Sequence, residues 1–194
     1  MSGKTELKIF DDHPPQVVVE AGFFEDIHPR TSLDDSNVIE FFIPASNVNY
    51  LDLNDTLLTL QLKIVKKDGT SLGTSDQKPV PSTYFMHSLF SNVSVSMNDV
   101  VIEGGSSLYP YKAAIESELC TNKESKATQL GPIGHGSRDE RHKLVGNSSL
   151  IELAGALRLD FLNQPKYLIP GVNVRIVLTR STADFALSYK MGEP

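Results

Sequence analysis

The sequence predicts an all-β fold, an antiparallel jelly-roll β-sandwich with one short helix. Apolar residues recur mostly at every second position, which places them on one face of a strand. The alternating runs are short, and Gly, Pro and Asn-Asp turn signals separate them. A helical spacing of apolar residues occurs in one stretch only. We expect a single jelly-roll domain over residues 1–194, with an N-terminal arm over about residues 1–35.

The first half of the chain contains one clear strand and one hairpin. Over residues 56–65 every second residue from Leu58 is leucine or isoleucine, which predicts a strand with one buried face and places Leu60 in the core. Residues 93–97 alternate valine or methionine with serine. Asn98-Asp99 then separates this run from a second apolar run. Both residues tolerate positive φ, so a tight hairpin is predicted.

Two further strands are predicted near the C-terminus. Residues 156–162 alternate leucine or phenylalanine with arginine and aspartate. Residues 171–179 carry a wholly apolar face that includes Ile176, and we expect that face to point into the core. Weaker patterns predict strands at residues 16–21, 38–43, 149–153 and 185–189.

Residues 109–119 depart from the two-residue period and predict the short amphipathic helix. Pro110 falls in its first turn, where a missing N–H costs little. The residues at helical spacing are Tyr111, Ala114, Ile115 and Leu119. Loops rich in Gly, Pro, Ser and charged residues are predicted at 68–82 and 121–140.

Charge and composition exclude several classes of protein. The net charge is −6, and residues 1–60 carry three basic and eleven acidic side chains. Without a basic cluster, strong nucleic-acid binding is not expected. No apolar run approaches the roughly 20 residues that span a bilayer, so no membrane-spanning segment is expected. A polar N-terminus and a lone cysteine favour a reducing intracellular compartment.

The histidines and the glycine-rich segment do not form a recognisable site. The five histidines, at positions 13, 28, 87, 135 and 142, lack the His-x-His spacing of cupin metal sites. His135 and His142 flank Asp139 and Glu140, but nothing in the pattern fixes their geometry. Residues 131–137 contain glycines without a following lysine. Neither a strand before them nor a helix after them is predicted, so a loop is expected rather than a phosphate cradle.

The remaining reactive residue types also lack partners in sequence. The sequence indicates no base beside Cys120 that could activate its thiol as a nucleophile. Adjacent carboxylates, as in Asp11-Asp12 and Asp34-Asp35, point apart on an extended chain. The glycosylation sequons begin at Asn54, Asn92 and Asn147, and without a signal peptide we expect them to be unmodified. We therefore expect no catalytic, cofactor-binding or metal-binding residues, and an assembly or binding role rather than an enzyme.

Three segments resemble a specific family when they are taken in order. They are residues 87–98 (HSLFSNVSVSMN), residues 109–119 (YPYKAAIESEL) and residues 159–164 (LDFLNQ), which continue into residues 171–176 (GVNVRI). In this order they resemble the major capsid protein of Polinton (Maverick) elements and the related adintoviruses. The similarity covers roughly residues 35–188.

The resemblance implies a double jelly-roll capsid protein that forms trimers with a pseudo-hexagonal outline. Two features depart from the family: the strands here suffice for the first jelly roll only, and the 121–140 loop is short. The resemblance implies no catalytic residues and no cofactor. Its functional surfaces are contacts with other copies, as a homotrimer, and with other capsid proteins.

The sequence therefore predicts a structural capsid protein that self-assembles into a shell and resides in the virion capsid. The alternative is a jelly-roll module that binds carbohydrate or another ligand, although the chain contains no Trp. A cupin-type enzyme is a third possibility, which a stoichiometric bound metal would favour.

Overall fold

A computed structural model describes residues 21–34, 36–73, 79–121 and 131–188. In these ranges the fold is mostly β, and every strand pairing is antiparallel. The strands form a four-stranded sheet in the order β1-β7-β4-β5 and two two-stranded sheets, β2-β6 and β3-β8. The strands are β1 (Val38–Ile43), β2 (Leu58–Leu62), β3 (Val80–Pro81), β4 (Phe90–Met97), β5 (Val100–Glu103), β6 (Ile151–Gly155), β7 (Val174–Arg180) and β8 (Leu187–Ser188). This architecture is compatible with a β-sandwich.

Strand β7 is the centre of the core because both of its neighbours place apolar residues opposite its own. Leu178 lies between Ile39 of β1 and Val93 of β4. The next two apolar positions repeat the arrangement, with Ile176 between Phe41 and Val95 and Val174 between Ile43 and Met97. Ile176 is 5% exposed, so its predicted place in the core is confirmed. The predicted strands over 38–43, 93–97 and 171–179 correspond to β1, β4 and β7.

The predicted hairpin at Asn98-Asp99 is confirmed. Both residues have positive φ, 46° and 66°, and they join β4 to β5. The chain then turns at Gly104, where φ is 121°. A Cβ at Gly104 would lie 2.3 Å from the Cβ of Ser94, so only glycine fits where β5 ends.

The predicted strand over 56–65 is present as β2, which pairs with β6. Its alternation is right, since Leu58 is 8% exposed while Thr59 and Gln61 face solvent. Leu60, however, is only half-buried and packs at the margin of the core, so its predicted core position is only partly right. The two-stranded β2-β6 sheet covers this side chain less completely than the four-stranded sheet covers Ile176.

The predicted strand over 156–162 is wrong. Its alternation is real, because Leu157 and Leu159 are buried, but the segment pairs with no strand of the described chain. Its backbone bonds side chains instead. The amides of Asp160 and Phe161 donate to the Glu103 carboxylate, at 3.0 and 2.7 Å. The Asn163 amide group donates to the carbonyls of Leu157 and Leu159. In this segment the alternation of apolar residues indicates buried side chains, but the backbone does not form a β-ladder.

The predicted single helix is present, but it is not alone. Helix α2 (Tyr109–Cys120) matches the predicted 109–119. The described ranges contain three other helices, which are α1 (Phe85–Ser88), α3 (Arg138–Val145) and α4 (Ala183–Ala186). Helix α3 and a 3₁₀ turn at Gly131–Ile133 fall in the predicted 121–140 loop, and α4 overlaps the predicted strand at 185–189. Residues 16–20 and 189 of the weaker predicted strands lie outside the described ranges.

Helix α3 begins where the sequence carries a capping box. The Ser137 hydroxyl accepts from the Glu140 amide, and the Glu140 carboxylate accepts from the Ser137 amide at 2.8 Å. Arg141 extends from this helix and donates to the carbonyl of Pro81 on β3. Of the helices that the structure describes, none is both long enough and apolar enough to cross a membrane.

Candidate functional site

Helix α2 buries one face and presents a second apolar face to solvent. Tyr109, Ala113 and Ser117 lie on the buried face and are at most 4% exposed. The residues of the opposite face, which we term the outer stripe, recur at helical spacing and are 55–80% exposed. They are Leu108, Tyr111, Ile115 and Leu119. The helix was predicted from three of these residues, yet its packed side is the other one.

Strand β5 adds a second exposed apolar element at the edge of the four-stranded sheet. Val100, Val101 and Ile102 are 63%, 65% and 44% exposed, so both faces of the strand lie in solvent. Beyond its pairing with β4, β5 has no strand partner in the described part of the chain. Edge strands of this kind are usually blunted by Lys or Pro, and this one carries neither.

A buried polar cluster anchors the inner face of α2 to the body. His87 of α1 and Tyr109 of α2 are 1% and 4% exposed, and the His87 Nδ1 lies 3.0 Å from the Tyr109 hydroxyl. The same hydroxyl accepts from the backbone N–H of Arg158, at 3.4 Å. These three residues, His87, Tyr109 and Arg158, connect α1, α2 and the segment after β6.

Burial and charge keep this cluster neutral apart from Arg158. Burial, together with a smaller contribution from the nearby Arg158 guanidinium, lowers the pKa of His87 to about 4. Burial also raises the pKa of the Tyr109 hydroxyl well above its usual value. His87 is therefore a neutral imidazole at pH 7, and it is covered too completely to meet a substrate.

A second polar pair ties the far end of α2 to the body. The Tyr84 hydroxyl donates to a Glu118 carboxylate oxygen at 2.6 Å, and burial together with this carboxylate raises the pKa of Tyr84. The ring of His135 stacks on Tyr84 with centroids 4.9 Å apart. Tyr84 has φ 56°, a strained conformation for an aromatic residue. The strain is consistent with a side chain fixed by contacts on both sides.

An ionic cluster links the exposed side of α2 to β5. The Lys112 ammonium contacts Glu103 at 2.9 Å, Asp160 at 3.0 Å and Glu116 at 3.8 Å. Glu103 also accepts the two backbone amides described above. The carboxylates outnumber Lys112, so this flank of the outer stripe is acidic.

A cavity of about 270 Å³ opens beside the first turn of α2, where β4 and β7 meet the segment before α4. Tyr111 and Phe185 form one wall, with ring centroids 5.7 Å apart in an edge-to-face arrangement. Arg180 supplies the charge, and the rest of the lining consists of Pro110 and of serine and threonine side chains. The lining residues are Ser91, Ser107, Pro110, Tyr111, Arg180, Ser181, Thr182 and Phe185.

The histidines considered in the sequence are dispersed. His87 is buried in the cluster described above, His135 is half-buried against Tyr84, and His28 and His142 are exposed. Among the described residues, no group of three or more His, Cys, Asp or Glu side chains is placed to hold a metal ion. His13 lies outside the described residues. The glycine-rich residues 131–137 form the 3₁₀ turn and the start of α3.

The other reactive residue types are also separate from the cavity. Cys120 is exposed at the end of α2. Of the paired carboxylates, Asp34 is exposed, and Asp11, Asp12 and Asp35 lie outside the described residues. At the sequons, Asn54 and Asn147 are exposed, whereas the side-chain oxygen of Asn92 is buried in β4. Sequence reasoning missed the cavity because its residues come from three separate regions, and their side chains are ordinary surface types.

Comparison with known proteins identifies one uncharacterized relative. No protein-family model matches the chain. A protein of Caenorhabditis elegans described only as uncharacterized is 27% identical over 168 residues. The match covers 79% of this chain, and the chain spans 40% of the length of that relative. The relative has no stated function to transfer.

Proposed function

We propose that the chain is a structural capsid protein that assembles with copies of itself into a shell, with no catalysed reaction of its own. Its β strands would form a jelly roll, and trimers within the virion capsid would be the first assembled unit. Three lines support the proposal: the ordered resemblance of the three segments, the antiparallel β architecture, and the exposed apolar surfaces.

The observation that carries the proposal is the outer stripe of α2. Tyr111, Ile115 and Leu119 fall within a segment that resembles the capsid family, and all three face solvent. A contiguous exposed apolar face commonly marks a surface that another protein covers. The neighbouring edge strand β5 adds to the same kind of surface, and repetition of one such contact between copies builds a closed assembly.

Sedimentation across a concentration series tests the proposal. We expect the wild-type chain to associate as concentration rises. Ile115→Lys should weaken association at least tenfold, because it places a charge in the apolar contact, while leaving the thermal unfolding of the monomer unchanged. Val48→Lys is the matched control, since Val48 is 80% exposed and lies outside the stripe.

Two results would contradict the proposal. A chain that stays monomeric at every concentration, also when mixed with a longer form of the protein, would exclude self-assembly. Equal weakening by Ile115→Lys and Val48→Lys would show that the stripe has no special role.

The cavity beside α2 is the feature that favours the alternative, a ligand-binding module. Its aromatic wall, its arginine and its hydroxyl groups are the chemistry that recognises carbohydrates or small anions. Its volume of about 270 Å³ is at the low end for a ligand site. Selective binding on a glycan array would support this alternative over the capsid proposal.

A further inference from the structure

The described chain begins with an irregular segment that exposes two adjacent phenylalanines. Phe23 and Phe24 are 72% and 85% exposed, and residues 21–29 form neither a helix nor a strand. Glu25 and Asp26 follow directly and are also exposed. Isolated apolar residues on a surface are common, but these four consecutive residues expose two phenyl rings and two carboxylates together.

Residues 21–29 lie within the predicted N-terminal arm, and from here on the term arm refers to these residues alone. The arm is fixed at its end nearest the sheet. The Arg30 amide donates to the carbonyl of Glu40 on β1 at 2.7 Å, and its guanidinium lies 4.4 Å above the Phe42 ring. The arm therefore leaves the molecule from a defined point at the edge of the four-stranded sheet.

The cavity beside α2 has the complementary chemistry. Its aromatic wall of Tyr111 and Phe185 suits a phenyl ring, and its cation is Arg180. Arg180 donates to the Leu33 carbonyl at 2.6 Å, and no carboxylate in the described ranges lies within ion-pair distance of it. A buried or half-buried guanidinium without a carboxylate is a favourable anchor for an incoming Asp or Glu.

The arm joins the sheet at a point that lies away from the cavity of its own molecule. Leu33 contacts Arg180 at one end of β7, and the chain then continues back to Arg30. The Arg30 amide donates to the carbonyl of Glu40. Glu40 lies opposite Val177, which is three residues before Arg180 on β7. Read from Leu33 towards the N-terminus, the backbone thus moves away from Arg180, and a neighbouring molecule is the natural recipient of the arm.

We propose that the arm of one copy docks into the cavity of a second copy. Phe23 and Phe24 pack against Tyr111 and Phe185, and a carboxylate of Glu25 or Asp26 pairs with Arg180. The inference rests on the proposed self-assembly and specifies one of its contacts. Each copy offers one arm and one cavity, so the contact links copies as a reciprocal pair, as a ring or as an open chain.

The two phenyl rings supply about half of the area that a standard interface buries on each partner. Two phenylalanine side chains offer roughly 300–500 Å² per arm, against about 800 Å² per partner in a standard interface. The exposed outer stripe of α2 begins at Tyr111 and is placed to extend the contact beyond the cavity.

Fluorescence anisotropy with a labelled peptide of residues 21–29 tests the inference directly. The acceptor is the full chain carrying Phe23→Ser and Phe24→Ser, so that its own arms do not compete. We expect saturable binding, and we expect a peptide with the same two serine substitutions to bind at least tenfold more weakly. Equal binding of the two peptides, or no binding of the native peptide at millimolar concentration, would overturn the proposal.

Charge reversal tests the ionic contact independently. Arg180→Glu in the acceptor should weaken binding of the native peptide at least tenfold, and a peptide with Glu25→Arg and Asp26→Arg should restore it. Circular dichroism checks that this acceptor folds, and if it does not, Tyr111→Lys at the exposed cavity wall replaces it. Val48→Lys in the acceptor should leave binding unchanged. Failure of both cavity variants to weaken binding would show that the arm docks elsewhere or not at all.

Sedimentation separates failure of this contact from failure of self-assembly. If the Phe23→Ser, Phe24→Ser chain associates as strongly as wild type, the arm contact is wrong while self-assembly stands. If wild type never associates but the native peptide still binds the cavity, the arm occupies the cavity of its own molecule, and both the contact between copies and the shell-forming function are wrong.

Discussion

At the scale of single residues, the buried polar groups determine where α2 sits. His87, Tyr109 and Arg158 are separated by 22 and 49 positions in sequence, and no local pattern predicts that they meet. The histidine alone looked like one of five scattered loop residues. Its role becomes visible only when α1 and α2 have packed, because the Tyr109 hydroxyl then faces both Nδ1 and a backbone amide.

We expect His87 to make the protein less stable as pH falls from about 6.5 to about 4. Its pKa is near 6.5 in the unfolded chain and about 4 when folded, so the unfolded state binds the proton first. The His87 contribution to the free energy of unfolding is greatest above pH 6.5. It declines through this window by on the order of 3 kcal/mol and levels off below pH 4. Urea unfolding at several pH values measures it.

The matched variants for this prediction are His87→Asn and His142→Asn. The first removes the titrating ring, so its unfolding free energy should depend less steeply on pH between 6.5 and 4. His142 is exposed in α3, and its replacement should leave the pH profile unchanged. Parallel profiles for wild type and His87→Asn would contradict the assignment.

At the scale of elements, the two-residue period predicts β2 in a two-stranded sheet as well as β4 and β7 in the four-stranded sheet. β4 and β7 were predictable because a two-residue period and a buried face coincide there. Residues 156–162 show the same period, but Glu103 and Asn163 take their hydrogen bonds, and these partners are distant or lie outside the pattern. The Ser137–Glu140 capping box did signal α3, so that helix could have been predicted from sequence.

The difference in burial between two sheets predicts unequal costs of truncation. Ile176→Ala should lower the free energy of unfolding by about 2–5 kcal/mol, the usual range for a large buried residue. Leu60→Ala should cost clearly less, because Leu60 is half-buried on the smaller β2-β6 sheet. Chemical denaturation of both variants measures the difference. Equal losses would mean that the two sheets cover their side chains equally well.

The end of β5 offers a comparison between neighbouring glycines. Gly105 has φ 89° with open space around it, so Gly105→Ala should cost only the left-handed strain, about 1–2 kcal/mol. Gly104→Ala should cost about 1–3 kcal/mol more, because its Cβ would collide with the Ser94 Cβ and backbone. Thermal unfolding of the pair is the measurement, and a smaller loss for Gly104→Ala would show that β4 yields easily there.

At the scale of the whole molecule, the two sides of α2 have opposite roles. Its inner face is fixed by Tyr109 and Ala113, and its outer stripe is left uncovered. The sequence predicted the helix but not its orientation, because apolar residues occupy both faces and the period alone does not say which one packs. Neither the cavity nor the docking role of the arm could be predicted from the sequence, because only the folded chain brings the residues concerned together.

Glu103 joins three parts of the surface, and its removal makes the last prediction. Its carboxylate connects β5 to Lys112 of α2 and to the amides of Asp160 and Phe161. Because the side chain is only 19% exposed, Glu103→Ala leaves those amides without their acceptor, and we expect the free energy of unfolding to fall by about 2–4 kcal/mol.

Asp160→Ala is the matched control. Asp160 contacts the same ammonium at 3.0 Å, but its side chain is 77% exposed, so its loss should cost at most about 1 kcal/mol. Urea unfolding distinguishes the two, and similar small losses would show that water replaces Glu103 at the exposed turn.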